Sequence, residues 1–230
     1  MTANETTAPG PGARETARRA GDTSKGTGAS VRLACVDLLF ERGFHGTSLR
    51  HIADTVGVQM STLYYYYPSK QAVLVDIAES TLTELIDLVG AAVAQHESPA
   101  DQLRATIRAH VMFHGRRRKE ILITDTEIRS LEPDPRRRII GLRDAYTRLF
   151  CAVLDAGKKS GEFSFQDRSV TGNALFGMTN SVATWYDPHG RCDLSDIADS
   201  LSATFLHGIA NDRGRHRSGS PQRRSDAANQ

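Results

Sequence analysis

The stretch that decides the fold is LFERGFHGTSLRHIADTVGVQMSTLYYYYPSK, residues 39–70. It contains two short helical segments separated at Gly57, a residue that can adopt the left-handed turn conformation without a Cβ clash. Ala53 is small enough to let the two helices meet at a steep angle. The pattern therefore predicts a helix-turn-helix whose second helix can enter a DNA major groove.

The punctuation of this stretch sets the expected helix limits. Thr47 is the expected N-cap of the first short helix, residues 48–56. The second short helix begins at Gln59 or Ser61 and stops before Pro68. Apolar residues on both sides of the turn can close a small core, namely Ile52, Val56, Val58 and Leu63 against Leu38, Leu39 and Phe44.

Four consecutive tyrosines, residues 64–67, dominate the second short helix. Tyrosines at helical spacing usually belong to a core or an interface. However, a helix cannot bury four consecutive side chains on one stripe, so at least two must face outward. Their hydroxyls, with that of Thr62, suit phosphate oxygens and some base edges. Arg50 is the expected partner of guanine or phosphate, and Lys70 that of an adjacent phosphate.

The pattern G-F-x-x-T-S-x-x-x-I-A-x-x-x-G-V-x-x-x-T-L-Y-x-x-[YF]-x-S-K closely resembles the DNA-binding signature of TetR-family repressors, over roughly residues 28–75. The resemblance implies that Leu63 and Tyr67 are structural. Two departures matter. Gln59 stands where the family usually has Ser, which weakens the expected cap of the second short helix. Met60-Ser61 replace a polar or basic residue and Gly, which leaves the sequence preference open. The residues implied to face DNA are Arg50, Met60, Ser61, Thr62, Tyr64, Tyr65, Tyr66 and Lys70.

The rest of the chain carries helical periodicity and no convincing strand alternation. Ser69 is expected to cap a long helix to about Gln95, and residues 167–185 are expected to form one helix. We therefore predict an all-α protein of about nine helices, with an N-terminal three-helix DNA-binding domain and, as the resemblance implies, a C-terminal ligand-binding and dimerisation domain. The predicted parts are a disordered tail at 1–27, the DNA-binding domain at 28–75 with its motif at 48–67, the second domain at 76–211, and a disordered Arg-rich tail at 212–230.

Composition sets broader limits. The formal net charge of +2 does not by itself argue for nucleic acid. No apolar run approaches the roughly 18 residues that cross a bilayer, so no membrane partner is expected. The polar N-terminus has no secretory h-region, which favours a cytoplasmic protein. Cys35, Cys151 and Cys192 indicate neither a disulfide framework nor a metal site.

A second, looser resemblance covers roughly residues 120–190. The stretches TDTEIRSLEPDPRRRIIGLRDAYTRLF and NALFGMTNSVATWYD are similar to TetR-like regulators of fatty-acid and steroid catabolism, which sense acyl-CoA thioesters. Such an effector would need an apolar tunnel and cations for its phosphates, for which Arg129 and Arg143 are candidates. Alternatively, the apolar residues are ordinary core and the arginines a solvated face. The candidate tunnel residues are Met112, Phe113, Ile121, Leu122, Phe150, Phe176, Met178 and Trp185.

Small residues in the segment 167–185 are compatible with the homodimer that the family implies, because they let helices approach closely. They are Gly172, Ala174, Gly177, Ser181 and Ala183. Alternatively, they pack within one monomer. A dimer would place recognition helices in successive major grooves of operator DNA, roughly 34–36 Å apart. Effector binding would shift the population toward a conformer whose fourth helix moves the DNA-binding units apart, and repression is the family expectation.

Other chemistry has weaker support. His110 and His114 stand at a metal-binding spacing, but no third ligand is assignable, so we interpret them as partly exposed histidines on a helix. No nucleophile elbow or carboxylate pair indicates an enzyme. Residues 157–161 superficially resemble a phosphate loop, but Ala152 stands where its first Gly belongs. We expect no cofactor. The alternative class is a helical enzyme or carrier whose N-terminal unit docks a protein.

Overall fold

The computed structural model describes the backbone of residues 11–209 and the side chains of residues 27–209. The regular elements of this part are all helical, which confirms the all-α class. The predicted Arg-rich tail and residues 1–10 lie outside it. The helices are α1 Pro11–Gly46, α2 Leu49–Val56, α3 Met60–Tyr66, α4 Lys70–Ala94, α5 Pro99–Arg116, α6 Arg118–Thr126, α7 Pro133–Ser160, α8 Arg168–Asn180, α9 Val182–Trp185 and α10 Leu194–Ile209, with a 3₁₀ turn at Glu127–Ser130.

The first helix starts earlier than the predicted domain limits suggest. It begins at Pro11, inside the segment 1–27 that the sequence predicts as a tail. Proline suits a first helical position, because its φ is fixed near the helical value and its missing N–H is not needed there. At the other end, Gly43 has φ 68° and ψ 174°, so the regular helix is interrupted there.

The turn into α2 differs from the prediction by one residue. Ser48, not Thr47, is the N-cap, because its hydroxyl accepts a hydrogen bond from the His51 amide at 3.2 Å. Thr47 is buried instead, and its hydroxyl lies 3.0 Å from the Leu38 carbonyl and 2.9 Å from that of Gly43. Thr47 therefore ties the turn to the end of α1.

The helix-turn-helix itself follows the predicted pattern. Gly57 takes the left-handed conformation, with φ 74° and ψ 32°, directly after α2. Gln59 precedes α3 without a side-chain cap, as expected from its departure from Ser. Ser69 caps α4 by accepting from the Ala72 amide at 3.1 Å.

Two hydrophobic cores organise the molecule. The first joins α1–α3 to the start of α4 and also takes in Ile123, Ile128, Leu131 and Ile139. This core crosses the predicted domain boundary after residue 75, so the DNA-binding unit is packed directly on the second domain. The second core lies among α4, α5, α7, α8 and α10.

The C-terminal half is a bundle built around α5, which packs against α4, α7, α8 and α10. The predicted single helix over 167–185 is broken at Ser181 into α8 and the one-turn α9. None of the helices in the described chain is long and apolar enough to cross a membrane.

The left-handed Gly57 gives a direct test of the turn. We expect Gly57→Ala to lower the free energy of unfolding by about 1 kcal/mol, since an L side chain is strained at this φ. No neighbouring atom lies within 4 Å of an added Cβ, so the cost comes from the backbone alone. Urea denaturation measures it.

The matched control is Gly141→Ala in α7, where an added Cβ also meets nothing within 4 Å. Gly141 is exposed within a helix, so alanine there should raise the free energy of unfolding by about 0.5 kcal/mol. Equal effects of the two substitutions would contradict the assignment of strain to Gly57.

Candidate DNA-binding surface and effector cavity

Helix α3 presents an outward face of tyrosines. Tyr65 is 80% exposed and Tyr64 is 52% exposed, whereas Leu63, on the face of α3 that meets the core, is wholly buried. Ser61 on α3 and Arg50 on α2 are also exposed. The sequence prediction that at least two tyrosines face outward is therefore confirmed.

The remaining residues implied to face DNA are less accessible. Met60, Thr62, Tyr66 and Lys70 are half-buried. Met60 and Tyr66 pack against the first core, because the short α3 has to seat one side on it. The Lys70 ammonium donates to the Phe44 carbonyl at 2.7 Å and lies 4.2 Å from the centre of that ring. Lys70 thus fastens α4 to the end of α1, and its contact with phosphate stays a prediction.

Tyr67 has the structural role that the resemblance implies. Its hydroxyl donates to the Asp76 carboxylate at 2.8 Å, and that carboxylate lies 3.5 Å from Arg32 Nε. Burial, followed by the Asp76 carboxylate, raises the pKa of Tyr67, so it stays a phenol. The ion pair between Asp76 and Arg32 links α4 to α1.

Gln59 is a surface residue outside the set that the resemblance implies to face DNA. Its side chain is exposed and makes no cap bond, at the N-terminal end of α3. This end is the part of a recognition helix that approaches base edges. A glutamine there can pair with adenine, and its departure from the usual serine was the available signal.

A cavity of about 270 Å³ opens among α4, α5, α6, α7 and α8. Its wall is buried, and its rim is polar and exposed apart from the half-buried Arg143. The wall consists of Leu82, Leu85, His114, Ile121, Thr124 and Tyr146. The rim carries Asp125, Arg143, Thr147, Asn173 and Asn180, with the half-buried Phe176 between wall and rim.

The structure brings three of the ten predicted effector residues to this cavity: Ile121, Arg143 and Phe176. Phe113 and Phe150 are buried in the second core, against which Met112, Leu122 and Met178 pack. Arg129 is exposed on the 3₁₀ turn. Trp185 is half-exposed, and its indole N–H donates to the Ser181 hydroxyl. These seven lie outside the cavity, because periodicity does not distinguish core from cavity lining.

Arg143 is held at the rim by two oxygens of α6. Its guanidinium donates to the Thr124 carbonyl at 2.8 Å and to the Asp125 carboxylate at 2.6 Å. Burial raises the pKa of Asp125, and the neighbouring Arg143 opposes that shift. An anionic ligand at this rim would meet a cation already oriented, in competition with one carboxylate.

His110 and His114 are not partly exposed, so that interpretation is wrong. They are 0% and 4% exposed, because both fall on the face of α5 that packs into the second core. Their rings stack 3.7 Å apart, and the Tyr146 hydroxyl is hydrogen-bonded to His110 Nδ1. In residues 27–209 no group of three ligands for a metal occurs.

A larger cavity, about 520 Å³, lies at the N-terminal end of α5 against α10. Asp199, Ala203 and His207, on the exposed face of α10, contribute to its lining. The smaller cavity is the candidate effector site, since it is enclosed by five helices and touches α4 and α6, which contact the N-terminal helices.

A short helix with an exposed polar face in a helix-turn-helix is typical of a DNA-binding protein. Comparison with known families agrees. Residues 34–77 match the family described as "Bacterial regulatory proteins, tetR family", and residues 96–209 match "Tetracyclin repressor-like, C-terminal domain". The chain belongs to the TetR family. It is accordingly a DNA-binding transcriptional regulator and not an enzyme.

Three similar proteins extend this picture. The fatty acid metabolism regulator protein of Bacillus subtilis is 23% identical over 77% of this chain and 93% of its own. The transcriptional repressor KstR2 of Rhodococcus jostii is 26% identical over 83% of this chain and 96% of its own. The crystal structure of AibR in complex with isovaleryl coenzyme A and operator DNA has a TM-score of 0.70 at 23% identity, covering 77% of this chain and 97% of AibR.

The exposed tyrosines give the test of the DNA-binding surface. We expect Tyr64→Ala and Tyr65→Ala each to weaken operator binding by about 1–3 kcal/mol, as for lost base or phosphate contacts, without lowering the melting temperature. Fluorescence anisotropy with a duplex from upstream of the chain's own gene measures it, over a range of salt concentrations.

Tyr67→Phe is the matched control. It removes a hydroxyl that bonds inside the protein, so stability should fall while operator affinity is retained. Full operator affinity in both alanine variants would refute the assignment of α3 as the recognition helix.

Proposed function

We propose that this protein is a cytoplasmic homodimeric repressor that leaves its operator when a small apolar or acyl-CoA effector enters the cavity of about 270 Å³. The position of α6 supports this proposal best, because α6 forms part of the cavity and packs against α1. Binding at one face of α6 thus bears on the DNA-binding helices at the other.

The chemistry of the cavity supports an acyl-CoA thioester. Leu82, Leu85 and Ile121 supply apolar wall for an acyl group, and Arg143 at the rim supplies a cation for phosphate. Two relatives point the same way by their names: one regulates fatty acid metabolism, and AibR binds isovaleryl coenzyme A. The nucleotide part of such a ligand exceeds this volume and would extend past the rim.

Helix α6 supports a path from effector to DNA. Ile121 faces the cavity, whereas Ile123 is buried in the first core. Lys119 forms a 2.6 Å ion pair with Asp37 of α1. A shift of α6 that accommodates a ligand would therefore disturb contacts with α1 directly.

The start of α4 is bound to the segment after α6. The Gln71 side chain donates to the Ser130 carbonyl at 2.8 Å and accepts from the Glu132 amide at 3.3 Å. Helix α4 also reaches the cavity through Leu82 and Leu85. We propose that α4 and α6 move together, which adds a second element to the fourth-helix movement expected from the sequence.

Exposed small residues support the homodimer. Gly172 and Ala183 are buried within the monomer, but Ala174 and Gly177 are exposed, in line with the 68% exposed Val170. No atom lies within 4 Å of an added Cβ at Gly177. This open stripe of α8 would let a second copy approach closely and place two recognition helices on one operator.

Arg143 tests the proposal. With the operator duplex prebound, we expect acyl-CoA thioesters such as isovaleryl-CoA and hexanoyl-CoA to lower operator affinity about 5–150-fold, read by fluorescence anisotropy. Arg143→Gln should raise the thioester concentration required by about tenfold, since a charge-assisted bond to phosphate is lost.

The matched control is Arg148→Gln, an exposed arginine of the same helix outside the cavity, which should leave the thioester response unchanged. If no thioester releases the operator, the acyl-CoA proposal is wrong. If both arginine variants respond equally, Arg143 is not the phosphate partner.

A further inference from the structure

Three polar side chains stand within the second core beside the effector cavity. They are His110 and His114 of α5 and Tyr146 of α7, none more than 6% exposed. Burying polar groups is costly unless they are hydrogen-bonded, so packing alone would favour Leu or Phe at these positions. His114 and Tyr146 also line the cavity. Their polar atoms therefore bear on what the cavity binds.

The hydrogen bond of His114 fixes its protonation. Its Nδ1 lies 3.1 Å from the His110 carbonyl oxygen, which can only accept, so Nδ1 carries the proton. Burial lowers the pKa of His114 to about 4, so the ring is neutral at pH 7. Its Nε2 consequently offers a lone pair, which accepts a hydrogen bond.

Tyr146 and His110 form the second half of the arrangement. The phenol is hydrogen-bonded to His110 Nδ1. Burial lowers the pKa of His110 and raises that of Tyr146, so both are neutral. A phenol oxygen has two lone pairs and one proton, and this single hydrogen bond uses only one of the three.

The surroundings of His110 leave the Tyr146 oxygen able to accept. His110 also has the Asn180 side chain as a hydrogen-bond partner, which opposes the lowering of its pKa. Whether Nδ1 donates to the phenol or accepts from it, the phenol oxygen retains at least one lone pair. Tyr146 therefore offers an acceptor beside the cavity, as His114 Nε2 does.

We propose that His114 and Tyr146 bind a hydroxyl group on the buried part of the effector. A hydroxyl carries a proton that it can donate to these two acceptors, His114 Nε2 and the Tyr146 phenol oxygen. A plain hydrocarbon chain and a keto oxygen carry no such proton, so both would leave the acceptors unpaired. The ligand class is thus a hydroxylated acyl group, an inference that rests on the proposed function because it concerns the same cavity.

Calorimetric titration of the full-length protein tests the hydroxyl site. The probes are hexanoyl-CoA, 3-hydroxyhexanoyl-CoA and 6-hydroxyhexanoyl-CoA, together with the free acids hexanoate and 6-hydroxyhexanoate. We expect one of the hydroxylated thioesters to bind about tenfold more tightly than hexanoyl-CoA, as for a buried hydrogen bond gained.

Two variants locate the preference. Tyr146→Phe and His114→Phe should each reduce it to about twofold or less, because each removes one partner of the hydroxyl. His114→Phe keeps an aromatic ring to stack on His110, so it serves if Tyr146→Phe folds poorly. The matched control Tyr186→Phe, half-buried against the same core outside the cavity, should keep the full preference. A purely structural role would weaken all probes alike and leave their ratio unchanged.

Each remaining outcome decides between the proposals. Equal binding of the three thioesters overturns the hydroxyl site and leaves the acyl-CoA effector standing. A hydroxyl preference seen only among the free acids retains the site and removes coenzyme A. Absence of binding by all five probes overturns both.

Discussion

Burial of Ile123 in the same hydrophobic core as the three N-terminal helices is the contact on which the rest of the structure depends. A helix-turn-helix of this size buries little apolar surface by itself, so side chains of α4, α6 and α7 that complete its core contribute to its stability. This shared core has a functional consequence. Because α6 and α4 also border the cavity, the DNA-binding helices and the cavity share their supporting elements.

Function in this molecule follows from which polar groups are left outward and which are enclosed. Tyr64 and Tyr65 remain exposed because α3 packs on the first core through its other face, which carries Leu63. Their hydroxyls are therefore available to a duplex. Conversely, His114 and Tyr146 are enclosed beside a cavity, where a hydrogen bond counts for more than in water. The exposed tyrosines suit a large, charged partner such as a DNA duplex. The enclosed His114 and Tyr146 suit a small ligand that is selected by its functional groups.

The sequence predicts the local features of the fold well. Gly57, Ser69 and the tyrosine run each act through their own backbone or immediate neighbours, so a pattern can find them. It fails where long-range packing decides. Periodicity places Phe150 and Ile121 equally on buried faces, but only Ile121 borders the cavity. The buried histidines were missed for the same reason, since their spacing alone does not tell which face of α5 meets the core.

Coupling between the cavity and the recognition helices would change the distance between the two α3 helices of a dimer. That distance is therefore the quantity to measure. Spin labels at Ser61→Cys would report it by double electron–electron resonance, with Cys151→Ser and Cys192→Ser to remove the half-buried thiols. Cys35 can stay, because burial raises its pKa to about 12 and keeps it an unreactive thiol. If the cavity and the recognition helices are coupled, the distance distribution contains a DNA-competent population at about 34–36 Å, and effector binding depletes that population. A distribution that stays the same with saturating effector would contradict this coupling.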